Sequence, residues 1–396
     1  MQLVLKYKLQ GERSLGNSQD IFNLLDEVKS RGGSNRLLND RVSLFLEQEA
    51  RKVGTPYRGT FELTPLCNLN CKMCYVHLNE TQMQGRGLLP TKTWIDLMGQ
   101  AIEAGMTGAA LTGGECLPYP GFDEVYLFLK SKGISVTVKT NGVLLNSDRI
   151  EFFKHNPPRS ILISLYGNSD EIYEIVTGKP VFSTVLENVQ LAKESNLPIG
   201  IMITPSSYMG EAVKETIRLA NDLELPYFIN STLVSPRPDT QREKVDYDLT
   251  LDQYIDILLF DCMLHNIIPQ ARTPLPLDIE NETQYELKGI RCGAGKSGFS
   301  IRWDGSLSPC ISMDSITDYP LAIGFSAAWE HINREMNFFP TFTKCECCSY
   351  AQNCTFCAAE NEKLGSRFLL DHIWCQRTWK LVENGLSTSA QECAEE

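Results

Sequence analysis

Between residues 60 and 235, six short β-rich runs alternate with amphipathic stretches. The runs are GTFELTPL (59–66), GAALTGG (108–114), SVTVKTNG (135–142), SILISLYG (160–167), PIGIMIT (198–204) and YFINSTLV (227–234). Between them, apolar positions recur at helical spacing, for instance over 92–104, 122–132 and 211–223. Strands alternating with helices predict right-handed βα units and a parallel sheet. Six units are too few to close an eight-stranded barrel. The pattern therefore predicts an α/β fold on a curved, partial (βα)6 TIM-like barrel, with its site at the carboxyl ends of the strands.

The flanks read differently. The first 55 residues hold a strand-like run, LVLKYKL (3–9), and helical patterns over 19–31 and 39–52. After the sixth run, VSPRPDTQREKVDYD reads as a loop, and a helix is predicted from residue 251 to about 266. IPQARTPLPLDIENE is a Pro-rich linker. From residue 289 cysteines become frequent. These shifts divide the chain into an N-terminal extension (1–55), the barrel (56–245), a linker and helix (246–288), a small cysteine-rich domain (289–380) and a tail (381–396).

With 42% hydrophobic and 22% charged residues, the composition is that of an ordinary globular protein. A formal net charge of -12 disfavours a nucleic-acid partner. No apolar run approaches the roughly 18 residues of a membrane span. The start, MQLVLKYKLQGERS, has a lysine inside its apolar stretch and no small-residue cleavage site. The expectation is a cytoplasmic protein, in which 14 clustered cysteines point to metal binding or catalysis rather than disulfides.

LTPLCNLNCKMCYV places Cys67, Cys71 and Cys74 in a C-x3-C-x2-C loop just after the first strand. Neither paired C-x2-C motifs nor Cys/His pairs, the usual zinc patterns, lie nearby. His77 is the one neighbouring candidate for a fourth ligand. Alternatively, three thiolates on a [4Fe–4S] cube leave one iron open for a cosubstrate. This loop, placed after the first strand of a partial barrel, resembles that of the radical S-adenosylmethionine (SAM) enzymes. The resemblance implies that SAM chelates the open iron through its amino and carboxylate groups. Reductive cleavage then yields a 5′-deoxyadenosyl radical that takes a hydrogen atom from the substrate. LTGGE (111–115) stands where that family carries Gly-Gly-Glu. Gly113 and Gly114 permit close backbone approach, and the resemblance implies that Glu115 holds the SAM ammonium. By the same resemblance Asn141, in KTNG, and Ser164, in LISLYG, hold the ribose and adenine.

The C-terminal cysteines follow a second pattern: Cys292, Gly305 and Cys310, then Cys345, Cys348, Cys354 and Cys357, then Cys375. A zinc-ribbon arrangement of Cys345, Cys348, Cys354 and Cys357 is one reading. The whole pattern resembles the SPASM domain, an auxiliary-cluster extension of the radical SAM family, with one residue fewer before its sixth cysteine. Carried over, Cys345, Cys348, Cys354 and Cys375 close one [4Fe–4S] cluster. Cys292, Cys310 and Cys357 hold another with three thiolates, leaving an open iron or a fourth place for Cys347. Cys262 and Cys393 lie outside every pattern.

SPASM-bearing enzymes mostly modify peptides. The resemblance therefore implies a precursor peptide as substrate, a flavodoxin or ferredoxin as reductant, three [4Fe–4S] clusters and SAM. The outcome would be a thioether or carbon–carbon crosslink, or an oxidation. Small-molecule dehydrogenation or epimerisation is the alternative, and formylglycine formation a third. Sulfatase-maturing relatives place an aspartate directly after the cysteine equivalent to Cys310. Here that residue is Ile311, which takes no proton, and Asp314 follows three positions later. Cys116, where the family usually has proline, is either a hydrogen-atom donor to a product radical or a small buried residue. The N-terminal 55 residues are either a trimmed leader-peptide module or a packing extension.

Overall fold

The computed structural model describes residues 35–79, 81–83, 85–230, 233–240, 248–269, 283–346 and 348–386. All six predicted strands form: β1 (Arg58–Glu62), β2 (Gly108–Thr112), β3 (Ser135–Thr140), β4 (Ser160–Leu165), β5 (Ile199–Ile203) and β6 (Tyr227–Ile229). Each pairs in parallel with the next. Alternation sorts their side chains. Phe61, Leu111, Val136, Val138, Ile161, Ile163, Ile201 and Ile203 are buried toward the helices, where they meet Trp94, Phe122, Tyr126 and Phe153. The opposite face carries Thr60, Thr112, Lys139, Ser164 and Met202, which line an interior cavity. Helices form close to the predicted places, at Thr91–Glu103, Phe122–Ser131, Ala212–Asp222 and Leu251–Leu264.

The cysteine-rich segment adds strands that the hydrophobic pattern does not announce. β7 (Tyr285–Leu287) pairs antiparallel with β10 (Pro340–Phe342). β8 (Gly298–Ile301) lies parallel to β1, and β9 (Leu307–Ser308) folds back on β8. The result is one eight-stranded sheet in the order β6-β5-β4-β3-β2-β1-β8-β9, so β1 is an interior strand. Phe299 of β8 packs edge-on against Phe61 and, on its other side, against Phe325 and Trp329 of helix Phe325–Asn337.

Helix Asn35–Val53 covers the predicted 39–52. The predicted strand at 3–9 and helix at 19–31 lie outside the described residues, as do Cys347 and Cys393. Among the described residues no helix is long and apolar enough to cross a membrane.

Candidate active site

The loop after β1 turns back sharply, and the turn after β2 lies directly against it. Gly114 N–H donates to Thr64 O at 2.7 Å and Glu115 N–H to Leu66 O at 2.9 Å. A Cβ on Gly113, whose φ is +148°, would meet Thr64 O at 2.3 Å; one on Gly114 would meet Leu66 O at 2.4 Å. The two glycines are thus required so that the turn can brace the cysteine loop.

Cys67, Cys71 and Cys74 share a cavity of about 290 Å³ with Gly113, Gly114, Asn141 and Ser164. Its remaining walls include Thr60, Lys139, Tyr166, Thr204, Asn230 and Ile311. Backbone N–H groups point at two of the sulfurs: Leu69 N–H reaches Cys67 Sγ and His77 N–H reaches Cys74 Sγ, both at 3.3 Å. Asn141 Nδ2 lies 3.6 Å from Cys67 Sγ. Such donors suit thiolates that ligate an iron–sulfur cluster. Three sulfurs open to one cavity, with donors behind them, fit a cluster carrying an exchangeable position. His77 itself does not line the cavity.

Burial is the main reason the Cys67 thiol is pushed up to about 12; the charges of Glu115 and Cys74 add to it, and Leu69 N–H opposes it. Burial likewise raises Tyr166 well above the usual phenol range, and the charge of Cys71 adds to this.

Glu115 and Cys116 lie deeper than the residues that line the cavity. Glu115 is 1% exposed and does not line the cavity. Its Oε2 accepts from Asn141 N–H at 2.7 Å and its Oε1 from Leu117 N–H at 3.1 Å. A carboxylate this deep needs donors, and it finds them in the backbone. It therefore braces the β2 turn against the end of β3. Cys116 is wholly buried, its thiol donating to Lys139 O at 3.3 Å. Its burial favours the reading as a small buried residue.

The C-terminal cysteines fall into two sets. The charges of Cys292 and Cys357 both act on Cys310, which burial pushes up to about 11. Cys345, pushed up to about 12 by burial, feels Cys354, Cys375 and Cys348. Cys357 sits with the first set, so the four residues of a zinc ribbon are not brought together.

Ile311 forms part of the cavity wall. Asp314 is engaged elsewhere, its Oδ1 2.5 Å from Arg302 and its Oδ2 3.5 Å from Lys363. Behind the wall, Arg237 pairs with Glu62 and donates to Ile311 O at 3.1 Å. A second cavity, of about 210 Å³, shares Asn230 and Leu233 with the first and is walled by Tyr254, Glu360, Trp374 and Arg377. Arg237, Lys139 and this second cavity escape sequence reasoning. The available signal was the register of polar residues on the inner strand faces.

Residues 61–220 match the family model described as the Radical SAM superfamily. They form a radical SAM domain. The match contains the cysteine loop, the Gly-Gly-Glu turn, Asn141 and Ser164. The chain is 24% identical over 336 residues to the AdoMet-dependent heme synthase of Methanosarcina barkeri, covering 80% of this chain and 95% of that protein. It is 24% identical over 267 residues to the sporulation killing factor maturation protein SkfB of Bacillus subtilis, covering 67% of this chain and 62% of that one. Streptococcus suis SuiB bound to S-adenosylmethionine has a similar fold. The TM-score is 0.63 at 15% identity, with 90% of this chain and 87% of SuiB covered. SuiB bound to precursor peptide SuiA gives a TM-score of 0.61 at 17% identity, with 84% and 78% covered.

Proposed function

We propose that this chain is a cytoplasmic radical SAM enzyme of SPASM type. It cleaves SAM reductively and abstracts hydrogen from a ribosomally synthesised peptide, which it crosslinks or oxidises. The observation that carries this reading is the single cavity joining three cysteine thiols to the Gly-Gly turn, Asn141 and Ser164. The peptide substrate is supported by what SkfB and SuiB are named for and solved with.

In this reading Cys67, Cys71 and Cys74 hold the cluster that, with SAM bound, supplies the 5′-deoxyadenosyl radical. Gly113 and Gly114 keep the β2 turn close enough for Asn141 and Ser164 to share one wall. Glu115 positions Asn141 through its backbone N–H. Leu69, Met73, Val76 and Leu233 supply apolar walls that exclude water from the reacting carbon. Cys345, Cys348, Cys354 and Cys375 hold one auxiliary cluster. Cys292, Cys310 and Cys357 hold the other, with Cys347 or an open iron in the fourth place. A flavodoxin or ferredoxin is the reductant. Formylglycine formation is disfavoured, because Ile311 stands where a base is needed and Asp314 is held by cations.

A small-molecule substrate is the second reading, favoured by the heme synthase, 95% of whose length this chain covers. The deciding experiment is anaerobic reconstitution with SAM, dithionite and the short peptides encoded beside the gene. Release of 5′-deoxyadenosine with a peptide lighter by two hydrogens supports the peptide reading. Release without any peptide mass change, stimulated instead by a metabolite fraction, moves the assignment to the second. No release under any condition overturns both.

A further inference from the structure

Lys139 is a strand residue whose neighbours, Val138 and Thr140, are buried on the other side, so its side chain lies on the inner face of β3. There it lines the cavity together with Thr60, Thr112, Ser164, Thr204 and Asn230. It is partly buried, and desolvation holds its pKa below the usual lysine range.

The nearby acids are taken. Glu62 is gripped by Arg237, Glu115 by two backbone N–H groups, and Asp314 by Arg302 and Lys363. Among the described residues, no carboxylate lies within ion-pair distance of Lys139. An ammonium partly withdrawn from water into a cavity without a counter-ion carries a desolvation cost, and a flanking row of hydroxyls and one amide supplies dipoles but no charge. Among the described residues nothing supplies that charge, which leaves it to whatever fills the cavity.

SAM brings a carboxylate of its own. In the proposed reading, however, that group is a ligand of the open iron, held at the cysteine loop beyond the strand end. Lys139 lies two residues before Asn141, within the body of β3.

We infer that the cavity takes a substrate group bearing a carboxylate, an acidic side chain or a peptide C-terminus, with Lys139 as its counter-ion. This rests on the cavity being the substrate chamber of the proposed reaction. Lys139 is then a specificity-determining residue, and the threonines and Asn230 orient the bound group.

The test uses cluster-loaded protein with SAM bound, and three probes observed by ligand-detected NMR. Acetyl-glutamate amide carries a side-chain carboxylate, acetyl-glutamine a terminal one, and acetyl-glutamine amide neither. At least one acidic probe should bind about tenfold tighter than the neutral one, the worth of a charge-assisted hydrogen bond. Which acidic probe it is identifies the source of the carboxylate. Lys139→Met should abolish the preference and Lys139→Arg should retain it, with SAM affinity within twofold in both. Methionine leaves no buried charge behind, so the fold is not put at risk.

Equal binding of all three probes, absence of binding, or a preference that survives Lys139→Met overturns the inference. So does a tenfold loss of SAM affinity in Lys139→Met that decarboxylated SAM does not show, because Lys139 would then serve the SAM carboxylate. Release of 5′-deoxyadenosine from the same samples is scored separately. Its absence with the probe preference intact strikes at the proposed activity and leaves the carboxylate site standing.

Discussion

Arg237 grips Glu62 with both guanidinium Nη atoms, at 2.7 Å each, where the two side chains are 5% and 0% exposed. The pair joins β1 to the segment that follows β6. The same guanidinium donates to Ile311 O, beside Cys310, and lies 5.3 Å from the ring of Tyr75, beside Cys74. One cation thus ties the cysteine loop, the barrel and the C-terminal cysteines together.

Removing only one partner of this pair should be worse than removing both. Arg237→Ala leaves Glu62 charged and unpaired in the interior, and should cost about 3–5 kcal/mol. Glu62→Leu combined with Arg237→Met should recover much of that loss. Chemical denaturation midpoints of the cluster-free proteins measure both.

Gly114→Ala should detach the β2 turn from the cysteine loop, since its methyl would fall 2.4 Å from Leu66 O. Weaker SAM binding and a less stable first cluster should follow, read from iron content and from the SAM-induced change in the cluster's EPR spectrum. Gly87→Ala, with nothing within 4 Å of its added methyl, should behave like the parent.

Cys116→Ala should leave SAM cleavage and product stereochemistry unchanged, because the thiol is wholly buried and engaged by the carbonyls of Lys139 and Leu111 and by the Glu115 carboxylate. A stability loss of about 1 kcal/mol, from one lost weak hydrogen bond and a small cavity, is the expected effect. Product mass and chiral analysis decide it. A change in stereochemistry would restore the hydrogen-donor role.

Cluster loading should improve with rising pH. Cys67 and Cys345 are held near 12 and Cys310 near 11 by burial, so at neutral pH their thiols are protonated and iron must displace the protons. Iron incorporation should rise steadily from about pH 7 to 9. The sign for the cluster-free fold is opposite. Raised thiol pKa values favour it below the ordinary 9.0, and that stability is lost as pH climbs toward the raised values. Iron assays from about pH 7 to 9 and melting curves from about pH 8 to 12 separate the two effects.

The parallel strands are legible because each alternates apolar and polar residues and is followed by a helical period. β8 and β9 are not, for they are four and two residues long in a Gly- and Cys-rich stretch. Spacing singles out Cys67, Cys71 and Cys74, which the structure brings to one cavity. Glu115 shows the limit: a motif gives the residue, but only its depth shows that backbone N–H groups hold both of its oxygens. Arg237 sits in a stretch that reads as loop. Its one advance signal is Glu62, a carboxylate inside GTFEL, which needs a buried cation that local sequence cannot name.

The pairing of β8 with β1 also fixes an order of assembly. Until the ribosome has delivered residues 298–301, β1 has an unpaired edge, and the strand that launches the cysteine loop is held from one side only. The first metal-binding loop to emerge is therefore among the last parts to be locked. Iron delivery to Cys67, Cys71 and Cys74 becomes a finishing step, taken on a nearly complete chain.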